Sequence, residues 1–343
     1  MYDLLIVTHI PNFYKINLYN KLSDNIKILV IFIASNTNEK RSSDFIDISK
    51  AKFDHRVLYE GDYESRDIKS NILSLRTILK KCQYKKILVS GWKTKEYWYC
   101  VFTNKKSKNC LALESTVYES SVKGIRGFMK KIFLSRISLT FASGALHKNL
   151  LEKLSYNGEV KITRGVGIIN KPKRNLIKKY YQKRFIFIGR LSTVKNINML
   201  VDLFNSLEDY MLTIIGTGPL EQELKNKAKN NISFEGQMEN EKLDKYFEAN
   251  DILILPSLSE TWGLVVEEAL YFGMPVIVSN RCGSCELVKD GANGYVFDSN
   301  HHKKLKDIIL SINDSSYQKL IDGVEEFSVN KKDLDQVISY DIY

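Results

Sequence analysis

Short apolar runs, each followed by a stretch whose apolar residues recur at helical spacing, alternate along the whole chain, and this alternation constrains the fold more than any other feature. Strand candidates lie at residues 3–8, 26–33, 86–90, 110–113 and 139–142, and again at 184–188, 211–215, 232–235, 252–256 and 276–279. Helix-period stretches between them include 16–24, 198–207, 220–230, 240–249 and 263–272. Strand and helix repeated in both halves predict two open, mostly parallel sheets with helices on both faces. At 343 residues the chain is too long for one ordinary core and suits two domains. The boundary is expected in the basic, unpatterned stretch 170–183. That gives domains 1–169 and 170–343, with the last helix placed to pack back on the first.

Composition removes several classes. Hydrophobic residues make up 44% and charged residues 27%, with 5 Pro and 18 Gly, which is globular rather than disordered or fibrous. The apolar run that opens the chain follows no positive segment or small-residue cleavage site, and no stretch approaches ~20 apolar residues. A cytoplasmic protein that does not span a membrane is expected. Cys82, Cys100, Cys110, Cys282 and Cys285 are too few and scattered for a disulfide framework and read as thiols. The Cys282-Gly-Ser-Cys285 spacing lacks the second pair a zinc site needs. Of the net charge of +11, residues 1–170 carry 29 Lys/Arg against 15 Asp/Glu, so any acidic surface is met by the N-terminal half.

In such sheets ligands bind beyond the carboxyl ends of the strands, where loops and helix N-termini present free N–H groups. The strand candidate 184–188 runs into Gly189-Arg190-Leu191 and then Lys195, placing two cations at a helix start, as a diphosphate requires. The strand candidate 211–215 runs into Gly216-Thr-Gly218-Pro219-Leu220-Glu221. A nicotinamide fingerprint needs a glycine at 221, so a dehydrogenase is excluded, and a tight turn with its backbone open to a ligand is expected instead. After 252–256 the loop carries Glu260 and the next helix carries Glu268, two carboxylates able to reach two parts of one extended ligand. Glu267 is expected to face away, solvated or packed.

These residues resemble the retaining glycosyltransferases of the GT-B fold, specifically family 4, the group 1 type. The resemblance covers about residues 184–300: Gly189-Arg190-Leu191 with Lys195, Gly216-Thr-Gly218-Pro219, Gly236, the Glu260-x7-Glu268 pair, Gly273-Met-Pro275 and Gly291-Ala-Asn-Gly294. It implies an α/β GT-B architecture of two Rossmann-like parallel-sheet domains facing a cleft. It also implies that Arg190 and Lys195 hold a donor diphosphate, Glu268 the ribose and Glu260 the transferred sugar. The backbone of Thr261, Trp262, Gly263 and Leu264 would face phosphates or sugar, and Gly236, Gln237 and Met238 the base. Glu260, Arg190 and Lys195 are thus the expected catalytic set.

The first half matches more loosely. The segment from His9 to Leu22 is similar to the opening loop and helix of surface-polysaccharide transferases, but it lacks the glycine pair many of them carry. His9, Glu114 and Glu119 are the acceptor-side candidates. No cofactor is expected and no metal, because the fixed cations neutralise the diphosphate and the one Asp-x-Asp, Asp333-Leu-Asp335, lies in a polar C-terminal segment. The expected function is transfer of a sugar from a UDP- or GDP-linked donor to a hydroxyl of a lipid-linked bacterial glycan, such as capsule or O-antigen. Two rivals are a nucleotide-sugar epimerase on the same fold and a basic nucleic-acid module; no aromatic-studded basic motif supports the second. Residues 123–136 combine an apolar stripe (Ile125, Phe128, Met129, Ile132, Phe133) with flanking Lys123, Arg126, Lys130 and Lys131, which predicts a helix lying on the anionic inner membrane surface.

Overall fold

The computed structural model describes residues 1–173 and 180–342, so the expected boundary stretch lies partly outside the described residues. The chain forms two units. The first contains Met1–Ile169 and takes back the chain from Lys332 on; the second is Asn170–Lys331. The C-terminal segment from Lys332 on groups with the first unit.

In the first unit the strands are β1 (Tyr2–Thr8), β2 (Ile28–Phe32), β3 (Asp54–Val57), β4 (Tyr84–Val89), β5 (Asn109–Leu113), β6 (Leu139–Ala142) and β7 (Glu159–Ile162). They pair in parallel in the order β3-β2-β1-β4-β5-β6-β7. Its helices are α1 (Phe13–Ser23), α2 (Ile68–Lys81), α3 (Lys95–Thr103), α4 (Gly124–Ser135) and α5 (Ala145–Lys153). Strand β1 shows why its sequence is unbroken apolar: Leu5 and Val7 enter one core while Leu4 and Ile6 enter the other, so helices cover both faces. Tyr340 stacks on Phe141 of β6 and fastens the returning segment to this unit.

The second unit holds β8 (Arg184–Ile188), β9 (Met211–Ile215), β10 (Ile232–Gly236), β11 (Ile252–Leu255), β12 (Val276–Ser279) and β13 (Gly294–Phe297), ordered β10-β9-β8-β11-β12-β13 and all parallel. Helices α6 (Ile197–Asn205), α7 (Glu221–Lys227), α8 (Asp244–Ala249), α9 (Leu264–Tyr271), α10 (His302–Ser311) and α11 (Asp314–Glu326) follow, and α12 (Val329–Ser339) leads back to the first unit. In both sheets the first strand of the unit is central, and its neighbour on one side comes later in sequence. Chain direction across the sheet reverses there, at β1/β4 and at β8/β11, so the loops after those strands part and leave room for a ligand.

Candidate functional site

The β8/β11 switch point gathers most of the residues singled out from the sequence. Gly189 and Arg190 follow β8, and Arg190 is exposed. A short 3-10 turn (Thr193–Lys195) then brings Lys195 to the start of α6, with Asn196 in the left-handed region at φ 56°. From the other side comes the loop after β11. Leu258 N–H donates to Val194 O at 2.8 Å, tying the two loops together. Above that tie Lys195 Nζ pairs with Glu260 Oε2, the two side chains 19% and 14% exposed. A cation and a carboxylate assigned to different parts of a ligand thus neutralise each other at one sheet edge. The Glu260 backbone is fixed as well, its N–H donating to Arg281 O and its carbonyl accepting from Gly283 N–H.

Gly263 caps α9 at φ +94°, and a Cβ there would sit 2.9 Å from Leu255 Cδ2 and 3.0 Å from Cys282 Sγ. No side chain fits, so Thr261, Trp262 and Leu264 are led tightly into the helix. Trp262 is buried and its indole N–H donates to Glu267 Oε1 at 2.5 Å. Glu267 is fully buried, so of the two expected roles it takes the packed one. Glu268, 7% exposed, accepts at Oε1 from Asn240 Nδ2 at 2.7 Å, and Asn240 Oδ1 accepts from Asn170 Nδ2 at 3.0 Å. Asn240 was missed because it lies where the sequence predicts one continuous helix over 240–249. The chain instead makes a 3-10 turn (Asn240–Lys242) before α8.

The glycines after β9 act differently from expectation. A Cβ on Gly216 (φ +131°) would lie 2.0 Å from Gly189 O, and one on Gly218 would lie 2.4 Å from Leu191 O. Their bareness lets this loop close onto the β8 loop, where Leu191 N–H donates to Thr217 O at 2.9 Å. They shape the site through the neighbouring loop. Gly236 ends β10 at φ +71° with open space where a Cβ would stand, followed by exposed Gln237 and half-buried Met238.

In the first unit the β1/β4 switch point carries a second polar group. His9 follows β1; its Nδ1 lies 3.0 Å from the Tyr97 hydroxyl, and its ring meets those of Tyr63 and Tyr97 edge-on. Burial lowers its pKa to about 4, although the Glu114 charge opposes this, so the imidazole is neutral at pH 7. Glu114, after β5, pairs with Lys15 on the first turn of α1. Burial works against the Lys15 ammonium, yet Glu114 and the hydroxyls of Tyr19, Tyr340 and Tyr14 outweigh it and its pKa is raised. The sequence signal for Lys15 was weak, because a lysine on an amphipathic helix reads as a solvated one. Glu119 belongs elsewhere: its Oε2 accepts from Thr116 N–H at 3.0 Å and from the Thr116 hydroxyl, closing its own loop. On α4, Ile125, Phe128 and Met129 are 82%, 63% and 42% exposed, whereas Phe133 is fully buried, so Phe133 leaves the expected outward stripe.

Residues 169–326 match the family model of the glycosyl transferases group 1. Over 252 residues the chain is 27% identical to a Klebsiella pneumoniae protein described as an uncharacterized 41.2 kDa protein in the cps region, covering 73% of this chain and 64% of that one. The chain spans less than two thirds of the length of this and other curated relatives it matches. Among solved structures it superposes on a sucrose-phosphate synthase from Thermosynechococcus elongatus with a TM-score of 0.70 at 16% identity, covering 97% of this chain and 96% of that chain. It superposes on Anabaena HepE, solved in complex with UDP and glucose, with a TM-score of 0.69 at 15% identity, covering 97% and 98%. At such identities these likenesses establish the fold, the GT-B architecture of two Rossmann-like domains.

Proposed function

We propose, from the match of residues 169–326 to the group 1 glycosyl transferases, that the chain moves a sugar from a UDP- or GDP-linked donor to a hydroxyl of a lipid-linked bacterial glycan of the capsule or O-antigen kind, with retention at the anomeric carbon. One observation supports the reading: Lys195 from the β8 loop pairs with Glu260 from the β11 loop at the switch point, with Arg190 in the first of these loops and Glu268 on the helix that follows the second. Arg190 and Lys195 take the diphosphate and stabilise the charge that grows on it as the anomeric C–O bond breaks. Glu268 takes the ribose, Glu260 the transferred sugar, and the loop at Gly236, Gln237 and Met238 faces the base. The acceptor oxygen bonds to the anomeric carbon on the face the phosphate leaves, and its proton passes to the departing phosphate oxygen. Products are a glycoside and a nucleoside diphosphate. His9 and Glu114 serve the acceptor side.

The UDP and glucose bound by Anabaena HepE support a nucleotide-sugar donor, and the cps-region relative supports polysaccharide assembly. The outward Ile125, Phe128 and Met129 of α4, beside exposed Lys123, Arg126 and Lys131, support attachment to the anionic inner face of the plasma membrane. A thermal-shift screen against UDP-, GDP- and ADP-sugars tests the donor, since a ligand that binds only the folded state raises its stability. A shift with a UDP- or GDP-sugar, followed by nucleotide release, is expected. No shift with any of the three classes overturns the proposal.

A further inference from the structure

The Lys15–Glu114 pair is an unusual thing to bury. Lys15 is 4% exposed at its side chain and Glu114 33%, so the ammonium lies behind and the carboxylate in front. Two apolar residues of similar volume would commonly stabilise such a position as well or better, so stability alone does not account for the pair. Its backbone is fixed too: Asn12 caps α1 by accepting from Lys15 N–H at 3.1 Å. Among the described residues Glu114 Oε1 is engaged by Lys15, while Oε2 and His9 Nε2 have no hydrogen-bond partner.

The pair itself carries no net charge. Lys15 and Glu114 neutralise each other and His9 is neutral, in a half of the chain that otherwise carries a large excess of cations. Burial keeps the Tyr97 hydroxyl protonated, and it shares a hydrogen bond with His9 Nδ1. A carboxylate acceptor beside a neutral imidazole, whose Nε2 can donate or accept, suits a group that both donates and accepts. A sugar hydroxyl does both; a phosphate would leave the carboxylate opposed to an anion. We infer that Lys15 is a positioning residue that fixes Glu114 as the hydrogen-bond acceptor for a hydroxyl of an uncharged sugar ring of the acceptor. The inference rests on the transferase reading for the word acceptor, but not for the sugar-binding site itself.

The probes are methyl glycosides of glucose, galactose and N-acetylglucosamine, with inorganic phosphate as the charged arm, read by saturation-transfer NMR on the full chain. Wild type is expected to bind at least one glycoside and not phosphate. Lys15→Met and Glu114→Gln should each weaken that binding about tenfold or more, the effect of losing one charge-assisted contact, and Lys15→Arg should retain most of it. The titratable and charged groups that sense this corner are His9, Tyr14, Lys15, Tyr19, Tyr97 and Tyr340, with Arg66 and Lys93 beyond His9. A folded Lys15→Met with wild-type affinity overturns the inference, as does a Lys15→Arg that binds no better than Lys15→Met, or a wild type that binds phosphate but no glycoside. Should Lys15→Met not fold, wild-type affinity in Glu114→Gln overturns it equally. Nucleoside diphosphate affinity is measured alongside: its absence in wild type condemns the transferase reading, while the glycoside arm still decides this one.

Discussion

Lys195 and Glu260 hold one another, so neither can be altered without changing the other's surroundings. Arg190 is exposed and tests the diphosphate role more simply. Arg190→Ala and Lys195→Ala should each lower kcat/KM about ten- to hundredfold, the ~1.5–3 kcal/mol of one charge-assisted contact, with the fold intact. Adding Glu260→Gln to Lys195→Ala should cost less than the two singles combined, because the pair is already broken. Near-normal kcat/KM in both single alanine variants removes the phosphate assignment. The two carboxylates should separate by readout: Glu268→Gln weakens free nucleoside diphosphate binding, whereas Glu260→Gln lowers kcat. Equal loss of nucleotide affinity in both shows the roles are not divided. His9 gives a pH signature. Its folded pKa, about 4, is below the ordinary 6.5, so between those values the unfolded chain binds a proton the folded one does not. Stability should fall as pH drops through that window, by at most ~1.4 kcal/mol per pH unit. In an NMR titration one imidazole should stay neutral down to about pH 4, and should vanish from the spectrum of His9→Phe.

At the scale of elements, what the sequence could reveal depended on burial. The expected strands at 139–142, 184–188, 211–215 and 276–279 match β6, β8, β9 and β12 to the residue, since strands covered on both faces are mostly apolar. β3, β7 and β13 carried no such signal. β3 is Asp-His-Arg-Val and β7 is Glu-Val-Lys-Ile, each at an edge of its sheet where one row of backbone groups is unpaired and polar side chains are tolerated. Helix α4 was half legible: periodicity located its apolar residues but did not say which face was core. Gly127 decides it, lying so close to Val122 that a Cβ would be 2.2 Å from the Val122 carbonyl, which turns Phe133 and Leu134 inward and Ile125, Phe128 and Met129 outward. Lys130 is drawn back as well, its Nζ donating to Ser120 Oγ and Ser121 O. The membrane test therefore belongs on the outward residues. Wild type should float with phosphatidylglycerol vesicles at low salt, and Ile125→Ser with Phe128→Ser, or Lys123→Glu with Lys131→Glu, should leave it in the soluble fraction. Unchanged flotation in both double variants means α4 is not the anchor.

At the scale of the whole molecule, each unit repeats one plan, a central first strand with a switch point beside it, yet the two switch points differ in charge. The one in the second unit has exposed Arg190 beyond its ion pair, while the one in the first is balanced by Lys15, Glu114 and neutral His9. Only the former suits a diphosphate. The motif residues were legible there because they lie close together in sequence, in short loops that follow clear apolar strands. The Lys15–Glu114 pair was not, because 99 positions separate its members and only the fold brings them together. That asymmetry makes a prediction readable without any substitution. A nucleoside diphosphate at about 100 times its Kd should stabilise the unit that binds it by ~2.7 kcal/mol. Native-state hydrogen exchange should then slow in peptides covering β8, β9, β11 and β12 by the corresponding factor, while peptides from β1, β4 and β5 keep their rates. Equal slowing in both sets would show that the nucleotide is not held by the second unit alone. Slowing confined to the first set of strands in the chain would place the donor on the wrong unit altogether, and the assignment of Arg190, Lys195, Glu260 and Glu268 would go with it.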